Sequence, residues 1–235
     1  MVVNKEKATM TPRILIILGH PNLESFNAAL AKAYEDGARD EGAEVEFLAL
    51  ADLLFDPVLR PRGPQSGAAA RPRQPFETDL ERAKRAIERA DHVVFVFPVW
   101  WGGLPALLKG FVDRVFLPGW AYRAVPGARP EKLLTGRTAR VVMTMDAPGW
   151  YDGLAYKHSA KRAIVNATLR YCGFNRVRTT AYHKIGARST VKLRAMLDKT
   201  RALGARDARH SQRTSPARRR PVGRPLAEGR CGSNP

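Results

Sequence analysis

Residues 91–116 read DHVVFVFPVWWGGLPALLKGFVDRVF, and this stretch decides the fold class. Residues 93–99 form an unbroken apolar and aromatic run that is rich in β-branched side chains and too short for a helix. Such a run is typical of a strand that is buried on both faces of a parallel sheet. After Pro105, a favourable first-turn residue, apolar side chains recur at helical spacing as far as Val115. The stretch therefore predicts a strand, a loop and a helix.

The loop inside this stretch carries two large aromatic side chains, Trp100 and Trp101. Pro98 cannot donate to a sheet ladder, and Gly102 and Gly103 allow backbone angles that other residues avoid, so the chain turns tightly here. The tryptophans then lie at the carboxyl end of a buried strand. Open parallel sheets bind their ligands at that edge.

Strands and helices alternate five times along the chain. The predicted strands are residues 13–19, 45–50, 93–99, 140–145 and 177–182, and the predicted helices run from Phe26 to a stop at Gly42 and over residues 77–90, 104–115, 154–171 and 190–203. This alternation predicts an α/β fold with a doubly wound, five-stranded parallel sheet and right-handed crossovers. The order 2-1-3-4-5 puts the alternating second strand at an edge and the two most apolar strands in the middle.

Three segments fall outside the repeating pattern. Residues 52–75 and 118–135 are predicted to be loops, the first because it holds five prolines. Residues 205–235 have no apolar period and are dense in Arg, Pro, Gly and Ser, so we expect a basic, disordered tail. The chain is thus interpreted as a single domain over residues 1–204 followed by that tail.

Composition excludes several classes of protein. No apolar run approaches the roughly 20 residues that cross a bilayer, and the N-terminal segment lacks the apolar core of a signal peptide. Two cysteines give no disulfide framework and no cysteine metal site, so we expect no metal and a reducing, cytoplasmic environment. The formal charge of +18 is compatible with nucleic acid or an anionic membrane surface, but a phosphate-bearing ligand explains it as well.

The loop after the first strand, residues 20–27, lacks both the GxGxxG and the GxxxxGK[ST] patterns. It places Ser25, Phe26 and Asn27 at the start of a helix, where free N–H groups and the helix dipole favour an anion. The alternative is an ordinary helix cap, which such residues commonly form.

Two further loops follow buried strands at the same predicted edge. Trp100 and Trp101 can stack on an aromatic ligand, although paired tryptophans also serve as core residues. Residues 144–151, TMDAPGWY, are polar and glycine-bearing and can offer N–H donors to a reduced, anionic ring. His158, on the next helix, can stabilise charge or move a proton, whereas a lone histidine is more often a surface or capping group.

The chain resembles the NAD(P)H:quinone oxidoreductase family in three motifs. They are HPNLESFN at residues 20–27, FPVWWGGLPALLKGFVDRVFLPGWAY at residues 97–122, and TMDAPGWYDG at residues 144–153 followed by His158. These proteins are flavodoxin-like flavoproteins, and the similarity covers about residues 13–203. The middle motif is highly specific and the other two are moderately so.

The resemblance implies a site for a flavin, FMN or FAD. Its phosphates would rest on His20, Ser25, Phe26 and Asn27, and its isoalloxazine ring would lie between Pro98, Val99, Trp100, Trp101 and Gly102 on one side and Thr144, Met145, Asp146 and Ala147 on the other. Trp120 and Tyr122 match aromatic residues that line the substrate pocket, in the family often across a dimer interface. Tyr151 and His158 match the catalytic pair that stabilises charge during hydride transfer.

Three departures from the family pattern affect particular residues. Better-known members have Gln-Trp at Trp100-Trp101 and a Thr-Thr-Gly-Gly run at residues 144–147. Asp146 therefore brings a carboxylate near a ring that becomes anionic on reduction, which is unfavourable unless the carboxylate points away or pairs with a cation. Tyr151 matches only with a shift of one residue.

These observations favour a cytoplasmic, homodimeric flavoenzyme that takes a hydride from NADH or NADPH and passes two electrons to a quinone-like acceptor, without nucleic acid and without membrane insertion. The alternative is a regulatory flavoprotein that binds a potassium-efflux-type membrane transporter. A one-electron carrier like flavodoxin and a nucleic-acid binder that uses the arginine tail are the further alternatives.

Overall fold

The computed structural model describes residues 11–60 and 76–213 and has a parallel five-stranded sheet at its centre. The strands are β1 (Arg13–Leu18), β2 (Glu44–Ala49), β3 (His92–Pro98), β4 (Tyr122–Arg123), β5 (Glu131–Lys132), β6 (Thr138–Met145) and β7 (Val177–His183). The sheet has the order β2-β1-β3-β6-β7, and every pair in it is parallel. Counted over its own five strands this is 2-1-3-4-5, so the predicted fold class is confirmed.

Helices cover both faces of the sheet. They are α1 (Phe26–Asp40), α2 (Thr78–Arg89), α3 (Ala106–Val115), α4 (Gly149–Leu154), α5 (Ser159–Lys161), which continues as a π-helix over Arg162–Arg170, and α6 (Thr190–Arg213). Short 3₁₀ turns occur at Leu50–Asp52 and Ile185–Ala187. The end of α1 is set by Gly42, which has a φ of +76°.

The two faces form two separate cores because strand side chains alternate. In β3, Val94 and Val96 point to the core that α1 and α6 cover. Val93, Phe95 and Phe97 point to the core that α2, α3 and the π-helix cover. All five side chains are completely buried, which explains why this strand reads as a continuous apolar run.

The last helix extends beyond the predicted start of the tail. α6 continues to Arg213, so the predicted helix end at residue 203 is wrong, and residues 205–213 are helical rather than disordered. Asp207 and Ala208 are buried, and a Cβ on Gly204 would stand 2.1 Å from the Tyr34 carbonyl oxygen of α1. Close packing on α1 therefore stabilises a helical end whose sequence lacks an apolar period. The rest of the predicted tail, residues 214–235, lies outside the described residues.

Two other segments differ from the sequence prediction. The predicted helix over residues 154–171 is broken at Lys157 and His158, which have φ values of +48° and +52°, so that α4 and α5 are separate. The predicted loop over residues 118–135 contains a small antiparallel ribbon in which β4 pairs with β5. In the predicted loop over residues 52–75, only residues 52–60 are described.

Buried charges hold together the edge at which the strands begin. Asp207 of α6 accepts hydrogen bonds from Arg140 of β6, from Arg178 of β7 at 2.9 Å and from the Tyr34 hydroxyl of α1 at 2.9 Å. Burial alone would raise the pKa of Asp207, but His92, whose Nε2 lies 3.5 Å away, and the hydrogen-bonded Arg140 hold the pKa well below its ordinary value. The carboxylate is therefore ionised throughout the physiological range and cross-links both layers.

A second buried arginine caps a helix at this edge. Arg137 donates to the carbonyl oxygens of Ile87 at 2.9 Å and Glu88 at 2.8 Å, in the last turn of α2. These carbonyls have no partner inside their own helix.

Among the described residues no helix is both long and apolar enough to cross a bilayer.

Candidate functional site

Three strands of the sheet end side by side and bring the predicted loops together. The Gly19 N–H after β1 donates to Val96 O at 2.8 Å, and the Val99 N–H after β3 donates to Thr144 O in β6 at 2.7 Å. Pro98 and Thr144 are paired in register. The carboxyl ends of β1, β3 and β6 therefore form one continuous edge.

A buried pair of polar side chains joins the first and third loops. Asn27 Nδ2 donates to Thr144 Oγ1 at 2.9 Å, and this hydroxyl lies 3.1 Å from Asn27 Oδ1, to which it can donate. Both residues are 4% exposed, so the contact is shielded from water. A hydrogen bond between residues 117 positions apart fixes the start of α1 against the end of β6.

The first loop contacts the second through aromatic rings. His20 meets Trp100 edge to face, with ring centroids 5.5 Å apart. The His20 Nδ1 accepts the Asn22 N–H at 2.9 Å, and burial lowers the pKa of this imidazole. A neutral ring with a free Nε2–H results, which suits a hydrogen bond to a phosphate oxygen or a carbonyl.

The start of α1 keeps its anion-binding donors. The Ser25 hydroxyl accepts the Ala28 N–H at 3.2 Å, so the ordinary helix cap weighed against the anion site is present. The N–H groups of Phe26 and Asn27, in the first turn, have no partner inside the helix. They point out of the helix start, where the dipole also favours negative charge.

The second loop is a two-residue turn with strained geometry. Trp100 and Gly103 exchange backbone hydrogen bonds of 3.2 and 2.8 Å, and the two residues between them, Trp101 and Gly102, have φ values of +51° and +69°. Positive φ at both central positions is the geometry of a type I′ turn. The Trp101 side chain is completely exposed, so no packing in the chain compensates for its left-handed backbone.

Residues at the start of α5 and just before it hold this turn in place. Ser159 donates a hydrogen bond to the Gly102 carbonyl oxygen. A Cβ on Gly102 would stand 3.2 Å from both the Ser159 hydroxyl and the Tyr156 ring. This support fixes the outward direction of the tryptophans.

In the third loop, the backbone N–H groups face the carboxyl-terminal edge of the sheet, whereas the side chains make contacts elsewhere in the protein. Met145 is buried in the core, and Ala147 packs against the same core. The Asp146 carboxylate accepts the Gly186 N–H at 2.7 Å, in the loop after β7. Asp146 is thus held by a neutral backbone N–H of that neighbouring loop, and among the described residues no cation pairs with it.

Backbone donors remain open along this edge. Within the described part of the chain, the N–H groups of Trp101, Gly102, Asp146 and Ala147 make no hydrogen bond. Two groups of donors from neighbouring loops can therefore bind the polar rim of a flat ligand.

The predicted catalytic residues lie beside a buried carboxylate that the sequence did not reveal. The His158 Nδ1 lies 2.7 Å from Asp152 Oδ2, and His183 Nε2 lies 3.8 Å from that oxygen. Asp152 is 7% exposed, whereas the His158 side chain is half exposed. Asp152 thus fixes the His158 ring with Nδ1 as donor and leaves Nε2 toward solvent.

Tyr151, the other predicted catalytic residue, belongs to an aromatic cluster on α4. Its ring meets Trp150 and Tyr156 edge to face, with centroids 5.6 and 5.0 Å away. The side chain is 39% exposed. Tyr156 in turn contacts Gly102, so Tyr151 reaches the second loop through one intervening ring.

The structure does not bring Trp120 and Tyr122 to this edge. Trp120 is buried against Phe116, and its indole N–H donates to Glu88 in the last turn of α2. The Tyr122 ring packs on Tyr171, with centroids 4.9 Å apart. Both lie near the amino-terminal edge of the sheet, away from the three loops of this site.

Asp152 and His183 are the residues that sequence reasoning missed. Asp152 follows Tyr151 directly and precedes His158 by six positions, a spacing that no regular helix brings into contact. The contact depends on the left-handed residues Lys157 and His158, which fold the chain back toward α4. His183 ends an edge strand whose pattern is weak, and its ring lies against Gly149.

Comparisons with known proteins agree with this architecture. A family model described as a flavodoxin-like fold matches residues 12–203. The chain is 29% identical over 164 residues to an uncharacterized NAD(P)H oxidoreductase of Haemophilus influenzae, covering 69% of this chain and 79% of the relative. It is 28% identical over 191 residues to the NAD(P)H dehydrogenase [quinone] 1 of Cavia porcellus, covering 74% and 69%.

A solved structure shares the fold at lower identity. The FMN-dependent NADH-azoreductase of Bacillus anthracis, in complex with FMN, is 14% identical to this chain with a TM-score of 0.64. The match covers 84% of this chain and 100% of that protein.

Proposed function

The chain belongs to the family with the flavodoxin-like fold, and from that premise we propose that it is a flavin-dependent NAD(P)H oxidoreductase that passes two electrons to quinone-like acceptors. Relatives named NAD(P)H oxidoreductase and NAD(P)H dehydrogenase [quinone] support this proposal, and they confirm the family resemblance in the sequence. A structural relative that holds FMN supports the flavin.

One observation carries the proposal. The hydrogen bond between Asn27 and Thr144, with the Val99–Thr144 backbone contact, holds three distant loops at one edge of the sheet. Ligands of doubly wound sheets bind outside the carboxyl ends of the strands, where the order reverses between β1 and β3. The flavin would lie along this edge.

The residues present fit a flavin. The start of α1 offers N–H groups for phosphates, and the N–H groups of Trp101, Gly102, Asp146 and Ala147, which have no partner among the described residues, can bind the polar rim of the ring. Trp100 is 45% exposed next to the neutral His20 ring and can contact an aromatic ligand face. The side chain that least suits an anionic ring, Asp146, is held by Gly186.

The flavin would supply a reversible two-electron acceptor for hydride. The protein would position nicotinamide and acceptor over the open ring face, and Trp101 would shield that face from water. His158 Nε2, left free by the Asp152 contact, would hold or donate a proton as charge develops. The Tyr151 hydroxyl would be a second donor on the same side.

We further propose that the active form is a homodimer. Trp101, Trp150 and Leu154 are 100%, 67% and 75% exposed and border the site, a cluster of large apolar side chains that a second copy would cover. Trp120 and Tyr122 lie far from their own site, so their substrate role requires this arrangement. Light scattering on the purified chain should give twice the mass of 26.1 kDa.

Experiments on the purified protein test the proposed function. We expect a flavin absorption spectrum, release of FMN or FAD that mass spectrometry identifies, and oxidation of NADH or NADPH that depends on a quinone. Trp100→Ala should weaken flavin affinity by about tenfold, the loss expected for one stacking contact of about 1.4 kcal/mol.

The matched control is Phe47→Ala, which removes a half-exposed ring from β2, a strand that contributes no loop to the site. Equal loss of flavin in both variants would assign the effect to stability. Colourless protein that neither FMN nor FAD reconstitutes would refute the proposed function. Bound flavin without quinone-dependent turnover would refute the acceptor alone.

A further inference from the structure

A cavity lies at the amino-terminal edge of the sheet. Its volume is about 370 Å³, and it is lined by Arg178, Arg206, Arg209 and His210. Arg178 is at the start of β7, and the other three residues are in the last part of α6. Three guanidinium groups and one imidazole thus share a single hollow.

The acidic residues nearby do not neutralise this cavity. Asp207 is buried beside it and already binds both Arg140 and Arg178. Glu41 pairs with Arg209. In the part of the chain that the structure describes, Arg206 has no ion-pair partner. The lining therefore carries more positive charge than the surrounding carboxylates balance.

The lowered pKa of His210, the imidazole in the lining, reflects both its burial and the same excess of positive charge. Burial lowers the pKa of His210, and the positive charges of Arg178 and Arg176 lower it further. Arg176 contributes from outside the lining, with its Nη1 2.9 Å from His210 Nε2. An anion in the cavity would reverse this electrostatic effect and relieve the repulsion among the guanidinium groups.

We propose that this cavity binds a small, soluble ligand that carries a phosphate or pyrophosphate group. Guanidinium groups present paired donors that match the oxygens of a phosphate, and three of them around one hollow can bind several oxygens together. A concave site of this volume fits a compact phosphate ester.

The site is separate from the one at the carboxyl-terminal edge. β7 runs from Arg178 at the cavity to His183 beside Asp152, and its seven residues span about 20 Å. A phosphate ligand here would not displace a flavin or a nicotinamide. The inference therefore does not depend on the proposed oxidoreductase activity.

Calorimetric titration of the full-length protein with inorganic pyrophosphate, at low and at high salt, tests this site. We expect saturable binding with one pyrophosphate per chain that weakens as salt increases. The double variant Arg206→Gln/Arg209→Gln should weaken binding by at least about tenfold. The midpoint of thermal unfolding, measured for each variant, separates loss of the ligand from loss of the fold.

The matched control is Lys192→Gln/Arg194→Gln, which removes two exposed positive charges from the first turns of the same helix. It should bind pyrophosphate as the original chain does. Absence of binding, or equal weakening in the two double variants, would overturn the proposal. So would binding to phosphatidylglycerol vesicles that pyrophosphate does not compete for, since that outcome would assign the arginines to a lipid surface.

Discussion

The two edges of the central sheet are built in opposite ways. At the amino-terminal edge, Arg140 and Asp207 are almost completely buried, and their charges are paired with each other. At the carboxyl-terminal edge, Trp101 is completely exposed on a left-handed backbone, and several N–H groups are open. One edge uses polar groups to join layers and the other keeps them available to a ligand. We therefore expect substitutions of the buried charges at the first edge to change stability, and substitutions at the second edge to change flavin binding and activity.

The largest effect should come from Asp207→Asn. The substitution leaves Arg140 buried without a counter-charge, and breaking a buried pair costs about 3–5 kcal/mol. Denaturant unfolding should show this loss, while any flavin that the folded protein binds should keep its affinity. Asp198→Asn, at an exposed position on the same helix, is the control and should change stability by less than about 0.5 kcal/mol. Loss of flavin affinity in folded Asp207→Asn would contradict the division between the edges.

The same carboxylate predicts a pH dependence. The pKa of Asp207 in the folded state is below the unfolded value of about 3.9, because the nearby His92 and the hydrogen-bonded Arg140 outweigh the opposing effect of burial. Its stabilisation is therefore complete above about pH 4 and is lost as pH falls toward the folded-state pKa. The difference in unfolding free energy between the original chain and Asp207→Asn should be smaller at pH 3 than at pH 5. An undiminished difference at pH 3 would refute this assignment.

Gly204→Ala should destabilise the crossing of α1 and α6. A Cβ at residue 204 would stand 2.1 Å from the Tyr34 carbonyl oxygen, so the helices must move apart at a cost of about 1–3 kcal/mol. Gly153→Ala, in a helical segment where the nearest atom to an added Cβ is 3.7 Å away, is the control. It should leave stability unchanged or raise it by up to about 1 kcal/mol. Equal effects at both glycines would show that the close crossing is not the cause.

Asp152→Asn should act on activity rather than on folding. It removes the carboxylate that holds His158 Nδ1, and the value of kcat/KM should fall by about 10- to 100-fold, within the contribution of one acid–base group. The pH profile should change as well, because the imidazole loses its anionic partner. His183→Gln is the matched variant, since His183 Nε2 lies 3.8 Å from the same oxygen and should affect activity less. Equal losses with an unaltered pH profile would show that Asp152 has only a structural role.

The smallest effect should be a gain in stability from Trp101→Gly. A left-handed backbone costs a non-glycine residue about 1 kcal/mol, and the exposed ring makes no compensating contact within the chain. The free energy of unfolding of the variant should be about 1 kcal/mol higher than that of the original chain, and its affinity for the acceptor should fall. Lys184→Gly, another exposed residue with positive φ, should gain stability without any change in affinity. Stability that does not rise in either variant would show that these turns are unstrained.

The two edges also differ in how much of their structure could be predicted from the sequence, for a physical reason. β3 could be recognised because burial on both faces leaves a continuous apolar run, and the loop after it because proline ends the ladder and glycines allow a tight turn. The contact between Asn27 and Thr144 follows from topology, since parallel strands of known order place their ends together. The site's backbone was therefore largely predictable.

The buried charges and the break between α4 and α5 could not be predicted in this way. Asp207 belongs to a segment rich in arginine that we expected to be disordered, and its burial depends on Gly204 packing against α1. Asp152 meets His158 only because two consecutive residues adopt left-handed conformations. Neither arrangement has a periodic signal in the chain.

The amino-acid sequence by itself determined the parallel sheet, its strand order and the loops at its carboxyl-terminal edge, because hydrophobic periodicity and turn chemistry are local properties. Only the tertiary structure decided how far α6 extends, which carboxylates are buried, and that Arg178, Arg206, Arg209 and His210 enclose one cavity. These features depend on contacts between residues far apart in the chain, whose energy comes from desolvation and close packing once the helices are in place.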